Sequence, residues 1–82
     1  MSFNNIVEEK IRNIIVDKKL IQKEVDFQDD LVNLGLNSIK MVELVVYIED
    51  MFQFEFSLDD LKLENFKSIE TLSKIVIGHI EK

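Results

Sequence analysis

The stretch Leu34–Leu44, LGLNSIKMVEL, places a glycine turn directly before an apolar run that charged residues interrupt. Asn37 and Ser38 are both residue types that favour the N-cap of a helix, and apolar residues at helical spacing follow at once. We therefore predict a helix that begins near Ser38 and runs to about Phe52. Gly35 suits the end of the preceding turn, because a residue without Cβ readily adopts the left-handed conformation.

Two surfaces of this helix carry different residues. The first is a wide apolar face that we predict to be core, made of Met41, Leu44, Val45, Ile48, Met51 and Phe52. The second is a stripe that mixes apolar and acidic residues, Ile39, Glu43, Val46 and Asp50, bordered by Lys40 and Tyr47. A helix that is apolar beyond one face is surrounded by other helices or binds a partner. The stripe is therefore either a docking surface or a solvated face with two incidental apolar residues.

Helical periodicity also appears at both ends of the chain. A first helix over about 4–16 would bury Phe3, Val7, Ile11 and Ile14, and a last helix over about 68–80 would bury Ile69, Leu72, Val76 and Ile80. Ser57-Leu58-Asp59-Asp60 has the form of a capping box and predicts a short helix that ends before Asn65. The sequence thus predicts three main helices and one short helix.

Two connectors contribute apolar residues to the predicted core. The long first loop offers Val25, Phe27, Leu31 and Leu34, and Asp29 or Asp30 is placed to cap a short turn that ends at Gly35. The segment Phe52–Phe56, FQFEF, alternates as a strand would, but no second strand-like run exists to pair with it. We interpret it as an extended connector whose phenylalanines insert into the core.

Composition agrees with a small all-α domain. The chain has 82 residues, no Pro, no Cys and two Gly, so helices should dominate and disulfides are excluded. We predict a single domain over residues 1–82, monomeric and cytoplasmic, without a targeting segment or a membrane span. The net charge of −6 disfavours nucleic acid and anionic lipid surfaces and makes a basic protein surface the natural partner.

The sequence offers no catalytic or metal-binding constellation. The single histidine, His79, lies far along the chain from Ser38, and no G-x-S-x-G elbow is present. A calcium loop counted from Gly35 would need oxygen ligands where Val32 and Leu34 stand. We therefore predict a chain that is not an enzyme and interpret His79 as a packed or solvated edge residue.

The position of Ser38 permits two interpretations. A hydroxyl at the start of a helix, presented by a glycine-containing loop, lies beside unsatisfied N–H groups and the positive end of the helix dipole. This environment favours a phosphate ester, through which an attached arm could bring the thiol that the sequence lacks. The alternative is that Ser38 is only an N-cap.

The segment LGLNSIKMVELVVYIEDMFQFEF resembles the phosphopantetheine attachment region of acyl and peptidyl carrier proteins. The family pattern is an L-G-x-D-S-[LI] turn, a helix with V-E-L and an acidic pair, and an extended hydrophobic and acidic segment. The resemblance extends outward to Asp29 and Asp30 on one side, and to the segment 66–72, FKSIETL, on the other. It therefore covers nearly the whole chain.

This resemblance implies a four-helix bundle of the acyl-carrier-protein type, with Ser38 esterified by 4′-phosphopantetheine from coenzyme A. A phosphopantetheinyl transferase would perform that step, and the cargo would be held as a thioester on the arm. Implied partners are an acyl- or aminoacyl-loading enzyme and downstream synthases or transferases with basic docking patches. Their predicted contacts are Asn37, Ile39, Lys40, Glu43, Val46 and Asp50.

Two residues beside the serine depart from the family pattern. Asn37 stands where the family usually has Asp, and Lys40 stands where primary fatty-acid carriers often have an acid. Leu36-Asn37 also differs from the Gly-Gly-[HD]-Ser form of peptidyl carriers. The hypothesis is a discrete carrier for specialised biosynthesis of the polyketide or nonribosomal peptide type. The alternatives are a primary fatty-acid carrier and an unmodified helical interaction module.

Overall fold

The computed structural model describes residues 3–81 of the chain. It consists of α1 (Phe3–Asp17), α2 (Ser38–Phe52), a 3₁₀ helix (Leu63–Phe66) and α3 (Ile69–Ile80). Helix α1 packs against both α2 and α3, and the 3₁₀ helix packs against α3. No strand occurs within residues 3–81. The predicted all-α class, with three main helices and one short one, is therefore confirmed.

Helix α1 extends one residue beyond each end of the predicted range. Its apolar stripe is buried as predicted at Val7, Ile11 and Ile14, and Ile15 is buried beside them. The predicted burial of the Phe3 side chain lies outside what the structure describes, which at this position is the helical backbone. The stripe faces α2 and α3 and forms one wall of the core.

The first loop, residues 18–37, carries part of the core although it has no regular structure. Val25 and Leu31 are buried and Phe27 and Leu34 are partly buried against the core, as predicted. Leu20, Ile21 and Leu36 are buried as well. Two backbone hydrogen bonds join this loop to the start of α3, from Leu31 N–H to the Lys67 carbonyl at 2.8 Å and from Glu70 N–H to the Phe27 carbonyl at 2.9 Å. The loop is thereby anchored at both the core and α3.

Helix α2 has the predicted bounds, but its buried face is narrower than predicted. Leu44 and Ile48 are fully buried, whereas Met41, Val45 and Phe52 pack against the core while remaining partly exposed. The prediction of Met51 as a core residue is wrong, since 46% of it is exposed. Among the helices, α2 packs chiefly on α1, so only one strip of its surface is covered. Within the described residues, no helix is both long and apolar enough to cross a membrane.

The short helix lies later in the chain than predicted. The capping box does form, because Ser57 Oγ accepts the Asp60 N–H at 3.2 Å and Asp60 Oδ2 accepts the Ser57 N–H at 3.0 Å. These bonds close a single turn, and the helical element is the 3₁₀ helix at Leu63–Phe66. In the observed fold no side chain of residues 57–64 is buried, whereas the 3₁₀ helix places Phe66 in the core.

Glu8 on α1 is a buried glutamate, only 7% exposed. Its burial raises the pKa of its carboxyl above the ordinary 4.5. The negative charge of Glu70 raises this pKa further, and the positive charge of Lys74 lowers it in part. Because the folded-state pKa is raised, the stability that Glu8 contributes is present at low pH and lost as pH rises through that pKa. We expect Glu8→Gln to stabilise the protein at neutral pH by on the order of 0.5 kcal/mol.

Urea unfolding at about pH 7.5 and about pH 4 would measure this gain, which should fade at the lower pH because both side chains are then neutral. Glu24→Gln removes the same charge from an exposed site on the first loop and serves as the matched control. A gain of equal size in both variants, or one that persists at the lower pH, would assign the effect to net charge or packing instead.

Candidate functional site

Ser38 is the first residue of α2, and its neighbour is the residue that caps the helix. Asn37 has extended backbone geometry, and its Oδ1 accepts the Lys40 N–H at 2.9 Å. Within residues 3–81, no hydrogen bond engages the Ser38 hydroxyl, and Ser38 is exposed. The interpretation of Ser38 as the N-cap is therefore wrong. Asn37 takes that role, since it has the N-cap position and its Oδ1 accepts the third N–H of the turn.

The turn before Ser38 is held by side-chain and backbone bonds. Asp30 Oδ1 accepts the N–H groups of Val32 at 3.0 Å and Asn33 at 3.3 Å, so Asp30 caps the predicted turn. Gly35 has a φ of +110°, which an L-residue rarely adopts, and Leu36 then turns into the core. Asp29 caps an earlier turn, where its Oδ2 accepts the Asp26 N–H at 2.9 Å. Ser38 is thus presented from a bonded turn that a buried leucine anchors.

A groove of about 470 Å³ lies beside Ser38, between α2 and the segment that carries the 3₁₀ helix. Apart from Ser38, every lining side chain is apolar: Met41, Val42, Val45, Val46, Leu61, Leu63 and Phe66. The sequence interpretation missed the contribution of the last three residues to this site. The sequence signal for Leu61 and Leu63 is that they are apolar residues in an otherwise polar stretch, which is typical of a surface groove or interface.

The predicted docking stripe on α2 lies on the protein surface. Ile39 is 72% exposed and Val46 is 54% exposed, and Glu43 and Asp50 are exposed between and beyond them, while Lys40 is partly buried. Val42, 64% exposed, extends the apolar part of this surface toward the groove, and Val46 belongs to both the stripe and the groove lining. The two surfaces are therefore continuous, with Ser38 and Ile39 at their common end.

Glu49 and Glu55 are two further acids near the docking stripe, and Glu49 has a structural role. Its Oε2 accepts the Phe56 N–H at 2.9 Å and so ties the extended connector to α2. The connector itself is confirmed, with Phe56 buried and Phe54 partly buried. Glu55 is exposed and points to no such partner. The acidic surface of α2 is accordingly formed by Glu43 and Asp50.

His79 lies in the last turn of α3 and is engaged by the segment that follows the extended connector. Its Nε2 hydrogen-bonds Asp60 Oδ2, and its ring stacks on Phe54 with centroids 4.9 Å apart. This bond is the largest cause of the lowered pKa of Asp60, followed by the Ser57 N–H. The interpretation of His79 as an edge residue is consistent with its partial burial. No described contact joins His79 to Ser38, so these residues do not form a nucleophile–base pair.

The arrangement around Ser38 suits attachment of a phosphate-linked group. Ser38 is exposed, it lies at the N-terminus of α2, where the helix dipole favours negative charge, and the apolar groove begins beside it. Among the described residues, no group of three or more His, Cys, Asp or Glu side chains is arranged to hold a metal ion. The residues present therefore fit a covalent phosphopantetheine arm.

Comparison with known proteins yields consistent matches. The family model for the phosphopantetheine attachment site matches residues 9–76. Aminoacyl carrier protein 1 of Bradyrhizobium diazoefficiens is 31% identical, over 98% of this chain and 92% of the relative. An acyl carrier protein of Phytoplasma mali is 32% identical, over 99% of this chain and 90% of the relative.

A solved structure has a similar fold over almost its full length. The matched chain comes from a crystal structure of the Bradyrhizobium japonicum glycine:[carrier protein] ligase complexed with its cognate carrier protein and an analogue of glycyl adenylate. The TM-score is 0.73 at 31% identity, with 94% of this chain and 99% of the other covered.

Proposed function

The chain belongs to the phosphopantetheine-attachment family of carrier proteins, and we propose that it is a discrete carrier whose 4′-phosphopantetheine arm is esterified to Ser38. The observation that carries the assignment of Ser38 is that its hydroxyl is exposed and unengaged at the start of α2, while Asn37 performs the capping. A side chain in this state can be modified without loss of a fold contact.

The chain's residues hold and present the attachment point, and the arm supplies a thiol that forms a thioester with the cargo. Asp30, Gly35 and Leu36 set the position of the turn, and the N–H groups of the first turn of α2 favour the negative charge of a phosphodiester at Ser38. No base or metal site accompanies the serine among the described residues. We infer that the chain is not itself an enzyme and that a phosphopantetheinyl transferase modifies it.

An amino-acid-loading or acyl-loading ligase is the partner that we propose for the loaded state. Two Bradyrhizobium relatives are named aminoacyl carrier proteins, and the matched solved structure is a complex with a glycine:[carrier protein] ligase. Asn37 and Lys40 also place less negative charge beside the serine than an acidic pair would. These features favour a specialised pathway. The alternative is a primary fatty-acid carrier, which the similarity to acyl carrier proteins keeps open.

The test of the proposed function is direct loading of the apo protein. After incubation with coenzyme A, magnesium and a broad-specificity phosphopantetheinyl transferase, intact-mass spectrometry should show a gain of one phosphopantetheine per chain. The absence of a gain with several transferases would contradict the proposal and favour an unmodified interaction module. Turnover of an activated ester by the apo protein would instead indicate a hydrolase, which the separation of Ser38 from His79 disfavours.

The exposed stripe on α2 leads to a second prediction, which concerns the role of Glu43 in partner docking. Glu43 is exposed between Ile39 and Val46, so a partner with Arg or Lys side chains can pair with it while covering the two apolar residues. We expect Glu43→Lys to lower kcat/KM for transferase loading by roughly three- to tenfold, mainly through a higher KM.

Glu24→Lys provides the matched control, since it makes the same charge change at an exposed position away from α2. It should load at nearly the wild-type rate at moderate ionic strength. An equal loss in both variants would show that net charge governs the association, and no loss in Glu43→Lys would remove Glu43 from the docking surface.

A further inference from the structure

The chain between Phe56 and Phe66 contains no buried residue. Residues 57–65, called the strap below, therefore have buried apolar side chains only in the two phenylalanines that flank them. A segment with few buried apolar contacts opens at low free energy unless polar contacts retain it. The polar contacts of the strap accordingly decide how firmly it lies on the fold.

Most hydrogen bonds of the strap are internal. Ser57 and Asp60 exchange the two capping-box bonds, and Asn65 Nδ2 donates to the Asp60 carbonyl at 3.0 Å. Within residues 3–81, the hydrogen bond that links the strap to a helix is the one between His79 Nε2 and Asp60 Oδ2. The strap is thus a small bonded unit with a single polar attachment to α3.

The surroundings of His79 stabilise its hydrogen bond to Asp60. The side chains of His79 and Asp60 are only 20% and 22% exposed, which shields their bond from water. Phe54 stacks on the imidazole at an interplanar angle of 22°, and Phe56 meets it edge-on at 6.3 Å. The two rings limit the orientations of the imidazole and direct Nε2 toward Asp60.

The residue after Asp60 is part of the groove. Leu61 and Leu63, both in the strap, form the wall that faces Val42 and Val46 of α2. They are 44% and 61% exposed, so their own packing retains them weakly. We propose that His79, by holding Asp60, sets the position of this wall and hence the width of the groove beside Ser38. This conformational control rests on the proposed function for its biological meaning, because the groove lies beside the proposed attachment site.

Amide hydrogen exchange of the apo protein, followed by NMR, tests the clamp. The informative amides are those of Ser57, Asp60 and Asn65, which are hydrogen-bonded within the strap. His79→Ala should raise their exchange rates by about tenfold or more while the core amides of α1 change little. His79→Phe keeps a ring for stacking and removes the hydrogen bond, so it should also accelerate strap exchange.

Gly78→Ala is the matched control, because a Cβ at that position of α3 meets no atom within 4 Å. It should leave strap exchange at the wild-type rate. Unchanged strap exchange in His79→Ala, or the same acceleration in the strap and α1, would overturn the clamp.

The effect of His79 on the groove can be measured separately, by NMR of methyl groups in the same apo samples. Methyl signals of Leu61, Leu63 and Val46 should shift in His79→Ala, whereas those of Val16, exposed on α1, should not. Unmoved groove methyls would overturn the coupling of His79 to the groove. Failure of a transferase to load Ser38 would contradict the proposed function and leave these apo measurements standing, so the two failures are distinguishable.

Discussion

Ser38→Ala is expected to abolish phosphopantetheine loading completely and to change the free energy of unfolding by no more than about 0.5 kcal/mol. The loading is lost because the hydroxyl is the proposed attachment atom and alanine offers none. The stability is retained because the Ser38 side chain is exposed and no described hydrogen bond engages it. Intact-mass spectrometry after transferase treatment measures the first effect, and urea unfolding measures the second.

Asn37→Ala is the reciprocal control for this prediction. Its side chain caps α2 through the Lys40 N–H, so its removal should cost about 1 kcal/mol of stability. It should still accept the arm, since the serine remains. Loading that persists in Ser38→Ala would move the attachment to another residue, and a large loss of stability in Ser38→Ala would restore the capping role to the serine.

Phe66→Ala is expected to cost about 3–5 kcal/mol of stability. Phe66 is 2% exposed, contacts Phe56 with ring centroids 6.1 Å apart, and fills the core at the end of the strap. A domain of this size has a total stability of only about 4–12 kcal/mol, so the variant should lose a large share of its stability. Urea unfolding followed by circular dichroism would give the difference directly.

The neighbouring Leu63→Ala separates the role of Phe66 from that of the 3₁₀ helix in general. Leu63 lies in the same helix but is 61% exposed, so its truncation should cost less than about 1 kcal/mol. Similar losses in the two variants would mean that the helix, rather than the buried ring, holds this part of the chain. A small loss in Phe66→Ala would contradict the placement of its ring in the core.

The bounds of α2 could be predicted because three local signals agree at the same positions. Cap residues at Asn37 and Ser38, the turn at Gly35 and the apolar period after them all indicate a start at Ser38. The sequence could not decide which of the two residues caps the helix, because both types are suited to it. That choice depends on which side chain faces the N–H of Lys40, and the structure assigns it to Asn37.

Features that depend on distant pairs could not be predicted. The bonds of the Ser57 capping box are local and formed as expected, but they close a single turn, and the 3₁₀ helix forms later, at Leu63–Phe66, where Phe66 enters the core. His79 and Asp60 lie on separate elements, and no spacing rule connects them. The groove wall from Leu61 and Leu63 likewise requires the fold of the chain around α2. Local features such as caps and turns can be predicted from the sequence, whereas contacts between residues that are distant along the chain depend on the packed core.

The capping of α2 by Asn37 has an evolutionary consequence. Since folding makes no demand on the hydroxyl of Ser38, a mutation of that codon to alanine would escape the cellular quality control that removes unfolded chains. The resulting chain would accumulate to normal abundance and could still occupy partner enzymes through α2. If Ser38 carries the arm and α2 docks the partners, as proposed, selection on this position acts through loss of the arm rather than loss of the fold, and such a mutant would compete with the intact protein for its partners.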